Sequence, residues 1–298
     1  MFKALSVAAV ALVVAAGVAR ADTLARIKET GAVTMGVREA SGALSYRVAE
    51  GQYAGFHVEL CQRVLADVQQ RLGLPRLDIR YRAVSSQNRI PLLLNGSIDI
   101  ECGSTTNTAQ RQQDVAFAVT TFVEEIRLAV KADSGITSLA QIGGKRVSTT
   151  TGTTAVQVLR ERTRAAGIEF RPVFGKDHDD SFLLLQTGRA DAFVMDSQIL
   201  AGTIARAPRP QDYRIVDEVL SVEPIAIMLR KADPAFKSVV DESLVSMMRS
   251  GEIGRLYERW FMQPIPPSNV RLGLPASAAT RAAWAQPNDR PLEGLAKK

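Results

Sequence analysis

The stretch Ile100–Phe117, IECGSTTNTAQRQQDVAF, closes a short apolar run with the small-residue cluster Gly103-Ser104-Thr105-Thr106-Asn107 and then places a cation at Arg111. Two readings compete. In one, Thr106 or Asn107 caps a helix and Arg111 is a solvated surface residue. In the other, the hydroxyls and a carbonyl receive an ammonium while the Arg111 fork grips a carboxylate. The choice depends on what surrounds the stretch.

Working outward, LARIKETGA predicts a short helix closed by Gly31, and VTMGVRE a strand. GFHVELCQRVLADVQQRLG sets Phe56, Leu60, Val64 and Val68 at helical spacing and stops at Gly73. LDIRYRAV alternates as a strand, SSQNRIPLLLNG is a short helix with serine caps, and SIDIECG is a strand again. A second series follows: KRVSTTTG, TTAVQVLRERTRAAG, EFRPVFG, DSFLLLQTG and ADAFVMD, again strand, helix, strand, helix, strand. This alternation predicts an α/β fold with two mainly parallel sheets flanked by helices. AFAVTTFVEEIRLAVKA and IVDEVLSVEPIAIMLRK look extended and flank the second series, so the chain is expected to cross between lobes twice. A long helix is expected over PAFKSVVDESLVSMMRSGEIGRLYERWF, and no clear element in the polar tail from about Ala276.

The first 21 residues are expected to leave the mature protein. Lys3, the apolar run ALSVAAVALVVAAGVA and Ala19-Arg20-Ala21 form a secretory leader with cleavage near Ala21. The run is too short for a membrane span, and no later stretch approaches one. Without Lys3 and Arg20 the net charge falls from +6 to +4. It is spread along the chain with no lysine/arginine block, which argues against nucleic acid as a partner. Two lobes are expected: 22–122 and 222–298 forming the first, with the tail, and 123–221 the second. Cys61 and Cys102 leave two arrangements open in an oxidising compartment, one bridge or two buried thiols.

In open α/β sheets ligands bind at the carboxyl ends of strands, and small polar turns converge there in both series. GSTTN supplies Ser104 and Thr106. TTTGTT supplies Thr154 at a helix start, either as part of a glycine turn and threonine cap or with free N–H groups suited to a carboxylate. GKDHDDSF places His178 among aspartates that suit a helix cap better than a metal. Asp196 ends a strand, as a cap or as a carboxylate facing an ammonium. Arg38, Ser86 and Arg89, taken singly, read as surface residues more readily than as ligand contacts; His57 is read as a surface residue at a helix start. Together, three arginines and a histidine at strand ends make a cationic pocket. A single α-carboxylate does not need that many cations, whereas a dicarboxylic amino acid does.

The segments SSQNRIPLLLNGSIDIECGSTTN, KDHDDSF, GRADAFVMDSQILAG and QPIPPSN resemble the periplasmic glutamate/aspartate-binding proteins of ABC importers, from about Leu24 to about Asp289. The resemblance implies a two-lobed periplasmic-binding-protein fold of type II with two crossover strands as hinge. It implies a monomer without cofactor or metal, which captures L-glutamate or L-aspartate and hands it to membrane permease subunits. Residue by residue, it implies that Arg111 grips the α-carboxylate with Thr106 and Thr154 assisting. Ser104 and Asp196 would receive the α-ammonium, and Arg38, Ser86, Arg89 and His178 would surround the side-chain carboxylate. Two other classes share the fold. One is a cleft lyase like the cyclohexadienyl dehydratases, with His178 or Asp196 as base; the other is a ligand-sensing domain, against which the lack of a membrane span counts. One methylene separates glutamate from aspartate, so the pattern does not choose between them.

Overall fold

A computed structural model describes residues 22–295; the leader lies outside the described residues. The chain enters through α1 (Thr23–Thr30) and β1 (Ala32–Val37), then folds a three-stranded sheet from β2 (Ala40–Ser41), β3 (Ser45–Ala49) and β4 (Gln52–Ala54). It continues through α2 (Phe56–Arg71), β5 (Asp78–Ala83), α3 (Arg89–Leu94), β6 (Ile100–Glu101) and β7 (Val115–Phe117). β8 (Phe122–Lys131) then crosses to a second lobe of β9 (Arg146–Thr150), α4 (Thr154–Ala165), β10 (Arg171–Gly175), α5 (His178–Gln186), β11 (Ala192–Asp196), α6 (Ser197–Ala205) and β12 (Tyr213–Ile215). β13 (Ser221–Ile225) returns to β14 (Met228–Arg230), α7 (Pro234–Arg249), α8 (Glu252–Tyr257), α9 (Ala278–Ala285) and α10 (Leu292–Leu295).

The first sheet has the order β5-β1-β6-β14-β7, with β1 parallel to both neighbours and β14 antiparallel to both of its own. The second runs β10-β9-β11-β8-β12, parallel through β11 and antiparallel at β8. The expected α/β architecture is therefore present, with antiparallel strands where the chain changes lobes. β1 is buried on nearly every residue, as a strand covered on both faces must be. The two crossovers pair with each other, Phe122 opposite Ile225 through Ile126 opposite Ser221. Phe122 and Ile225 belong to the core of the first lobe, and Ile126 to that of the second.

Two expectations about the C-terminal part are corrected. The long helix is broken: α7 ends at Arg249, and Gly251 sits at φ +71 before α8 begins. A left-handed residue at a helix end is nearly free for glycine, so Ser250-Gly251 is a stop followed by a restart. The tail is also structured. Ser277 caps α9, and Trp284 Nε1 donates to the Thr121 carbonyl at 2.8 Å. Beyond α9, Thr120 N donates to Asn288 O and Asn107 Nδ2 to Asp289 O, so the tail is tied across the entry to the hinge.

A third correction concerns His57. It is fully buried in α2, with Nδ1 against the Gly103 carbonyl and Nε2 2.8 Å from Thr121 Oγ1. Burial pushes its pKa down to about 4. It is a strut from α2 to the loop after β6 and the hinge. Beside it, Cys61 and Cys102 are joined in a disulfide with Cα atoms 6.4 Å apart. The bridge pins α2 to the strand end that precedes Ser104, so of the two cysteine arrangements the structure holds the bridged one.

Candidate functional site

The carboxyl ends of β1, β6, β9, β10 and β11 face one another across the interlobe cleft. Ser86, Arg89, Ser104, Thr106, Thr154, His178 and Asp196 line one cavity there, with Thr153 and Met195. Arg38 and Arg111 flank it, so all nine candidate residues come together. The lobes are closed on each other. Gly152, at φ +82 in the turn before α4, lies so near Ser86 that a Cβ would stand 2.9 Å from its carbonyl. Ala43 N in the first lobe donates to Gln198 Oε1 in the second at 3.1 Å.

Arg38 and Arg89 are each only 2% exposed. Arg38 Nη2 donates to Ser86 Oγ at 2.9 Å and lies 3.3 Å from His178 Nε2. A guanidinium can only donate, so Nε2 is the acceptor and the His178 proton sits on Nδ1, donated to Thr150 Oγ1 at 2.9 Å. Burial, with Arg38 and Arg89 nearby, holds the His178 pKa well below its ordinary value, so the ring is neutral. Arg89 opens α3, where a cation opposes the helix dipole. Among the described residues, Arg38 Nη1 and Arg89 Nε and Nη1 have no partner. They are buried donors at the cleft without an acceptor among the described residues.

Arg111 is partly buried. Its Nη1 donates to Thr106 O at 2.8 Å and its Nη2 to Gly152 O in the other lobe at 3.3 Å. Burial and Arg89 lower its pKa, yet it stays a cation at neutral pH. Ser104 Oγ donates to Ser41 Oγ at 3.1 Å. Asp196 stands at the N-cap position of α6 without a capping bond from its side chain, so its carboxylate is not spent on the helix. Burial, and then Glu124 and Glu223, raise its pKa well above the usual carboxylate range. A ligand cation beside it would hold it ionised.

Sequence reasoning missed three buried acids. Glu101 accepts from Thr105 Oγ1 at 2.7 Å and lies beside Arg38 and Arg89, whose charges it partly balances. Glu223 on β13 accepts from Thr106 and Thr154. Glu124 accepts from Ser197 Oγ at 2.7 Å. Glu124 was legible: β8 alternates buried and half-buried positions, which puts it on the inner face with Phe122, Ile126 and Leu128. An acid on the apolar side of a strand is the signal of a built polar site.

Burial pushes the Glu124 pKa up to about 7. A carboxyl whose folded pKa is raised stabilises less as pH climbs from the unfolded value toward the folded one. Glu124→Gln does not titrate there. Its ligand-free unfolding free energy, from denaturant titration, should therefore gain on the parent's between about pH 4.5 and 7, the gap approaching about 3 kcal/mol. Equal differences at pH 4.5 and 8 would refute it.

A family model described as bacterial extracellular solute-binding proteins, family 3, matches residues 33–263. The chain is 41% identical over 274 residues to an L-glutamate/L-aspartate-binding protein of Pseudomonas aeruginosa, covering 92% of this chain and 91% of that one. It is 38% identical over 293 residues to a glutamate/aspartate import solute-binding protein of Escherichia coli, covering 96% and 97%. Among solved structures, a variant of ArgBP from T. maritima superposes with TM-score 0.69 at 28% identity, over 80% of this chain and 98% of that one. An ancestral amino-acid-binding protein, a precursor of cyclohexadienyl dehydratase, superposes with TM-score 0.69 at 26% identity, over 80% and 99%. The curated relatives are solute-binding proteins rather than enzymes. With the α/β lobes, the paired crossovers and the closed polar cleft, these matches show that the chain belongs to the bacterial extracellular solute-binding proteins of family 3.

Proposed function

We propose that this protein captures an acidic amino acid, L-glutamate or L-aspartate, in the interlobe cleft and delivers it to the permease of an ABC importer. It works as a periplasmic monomer after removal of residues 1–21. The lobes, 22–122 with the segment after 221 and 123–221, close about β8 and β13.

The unpartnered nitrogens of Arg38 and Arg89 carry this reading. A buried cation without a partner costs several kcal/mol. Glu101 offsets one of the two charges, which leaves one positive charge for one distal carboxylate. Arg111 serves the α-carboxylate with Thr106 and the start of α4, while Ser104 and Asp196 receive the α-ammonium. An amide in place of the distal carboxylate leaves that charge uncompensated. The relatives named for glutamate and aspartate support the same ligand class. His178 and Asp196 are each explained by ligand contact, so neither is left over to serve as the base of a cleft lyase.

Calorimetric titration of the mature protein tests the reading. L-glutamate or L-aspartate should bind at least about a hundredfold more tightly than L-glutamine or L-asparagine, the difference expected when a charged partner is lost in a buried site. Comparable affinity for L-glutamine would overturn it.

A further inference from the structure

We propose that Glu223 is the latch of the closed cleft, a hinge-strand carboxylate that collects one hydroxyl from each lobe on a single oxygen. Glu223 Oε2 accepts from Thr106 Oγ1 at 2.7 Å and from Thr154 Oγ1 at 2.6 Å. Thr106 follows β6 in the first lobe, whereas Thr154 opens α4 in the second. The two hydroxyl oxygens lie 3.3 Å apart, close enough to share the carboxylate only while the lobes are together. Glu223 is 0% exposed, and both threonines are buried. Solvent therefore does not compete for either bond in the closed form.

Each bond is backed by its own lobe, so the shared oxygen joins the two. Thr106 is fixed to β13 through the backbone as well. It forms a bridge with Ile225, and Asn107 N donates to Pro224 O at 2.8 Å. The Thr106 side is therefore backed by the first lobe, while β13 also pairs with β8 at the edge of the second lobe's sheet, Glu223 opposite Glu124. On the other side α4 is tied to the residue before β13, Arg162 Nε donating to Leu220 O at 3.0 Å, and the Thr154–Glu223 bond completes the link between the lobes. At 2.6 Å it has the length of a charge-assisted O–H···O⁻ bond. The other interlobe links are longer: 3.1 Å for Ala43 N to Gln198, 3.3 Å for Arg111 to Gly152 and 3.3 Å between Arg38 and His178.

Glu223 is not among the residues that line the ligand cavity. It is a positioning residue that acts through Thr106 and Thr154, so its loss should alter how long the cleft stays shut, not which ligand is chosen. The ligand arm of the test rests on the capture reading above; the distance arm does not.

The test uses the mature protein with one spin label on an exposed site of each lobe, and the variants Glu223→Ala and Glu223→Gln. Interlobe distance distributions are recorded without ligand, and L-glutamate dissociation is followed by stopped flow. Glu223→Ala should shift the ligand-free distribution toward longer distances. It should also speed dissociation roughly ten- to a hundredfold with the association rate unchanged, as expected for losing a hydrogen bond to a charged group. Glu223→Gln keeps an acceptor oxygen and should fall between, and it decides the matter if the alanine variant fails to fold. L-aspartate should show the same acceleration as L-glutamate.

Unchanged dissociation with an unchanged distance distribution would overturn the latch, as would an effect confined to association. A parent protein that holds no acidic amino acid would overturn the capture reading alone, while the distance distributions still decide the latch. A parent that neither closes without ligand nor holds one would overturn both.

Discussion

Arg111→Ala is expected to weaken every amino-acid ligand by a similar factor. All such ligands share the α-carboxylate, and losing a charge-assisted, bidentate partner in a closed cleft costs about 2–5 kcal/mol. The same guanidinium donates to Gly152 O across the cleft, so its removal also loosens closure, in the same direction for all ligands. Stability without ligand should change little, because Arg111 is only partly buried and belongs to no hydrophobic core. Calorimetry on L-glutamate, L-aspartate and a weak neutral ligand, with melting of the ligand-free variant as control, checks this. A variant that binds L-glutamate as the parent does would return Arg111 to the surface residue of the simpler reading.

Arg89→Met should separate binding from stability. Arg89 is proposed to meet the distal carboxylate and has two donors unpartnered among the described residues, so L-glutamate and L-aspartate should lose about 2–5 kcal/mol. A weak neutral ligand, with no distal charge, should lose much less. Replacing a buried charge with an apolar chain of similar length is often neutral or stabilising, so the ligand-free variant should melt no lower than the parent. Equal losses for acidic and neutral ligands would place Arg89 outside the distal subsite.

Most of the fold was legible because its elements follow local rules. The period-3.6 stripe of Phe56, Leu60, Val64 and Val68 became the buried face of α2. VTMGV became a strand covered on both faces. The misses have physical reasons. Gly251 lies inside an otherwise helical pattern, and only its positive φ shows that it ends one helix. The tail from Ala276 has too little apolar surface to declare a helix, yet Thr280 and Trp284 anchor α9 to the hinge through bonds that no local pattern encodes. His57 looked exposed at the start of its helix because its partners, Gly103 and Thr121, are 46 and 64 residues away.

That the nine candidates gather was legible from residue type and position at strand ends, since all nine meet at one cleft. The site's internal balance was not. Glu101 lies in a two-residue strand between β1 and β14, and Glu223 in the short crossover strand β13, so neither has a run of alternation long enough to mark it as buried. Only the assembled cleft shows that Glu101 stands beside two arginines, and that Glu223 holds a threonine from each lobe.

The central claim is that the two carboxylates of one ligand are divided between Arg111 and the Arg38–Arg89 pair. A crystal structure of the mature protein with L-glutamate tests it most directly. The α-carboxylate should lie within about 3 Å of the Arg111 guanidinium, and the distal carboxylate at the same distance from the now unpartnered nitrogens of Arg38 and Arg89. A distal carboxylate turned toward solvent or toward the second lobe alone, with those nitrogens still lacking a partner, would contradict the account.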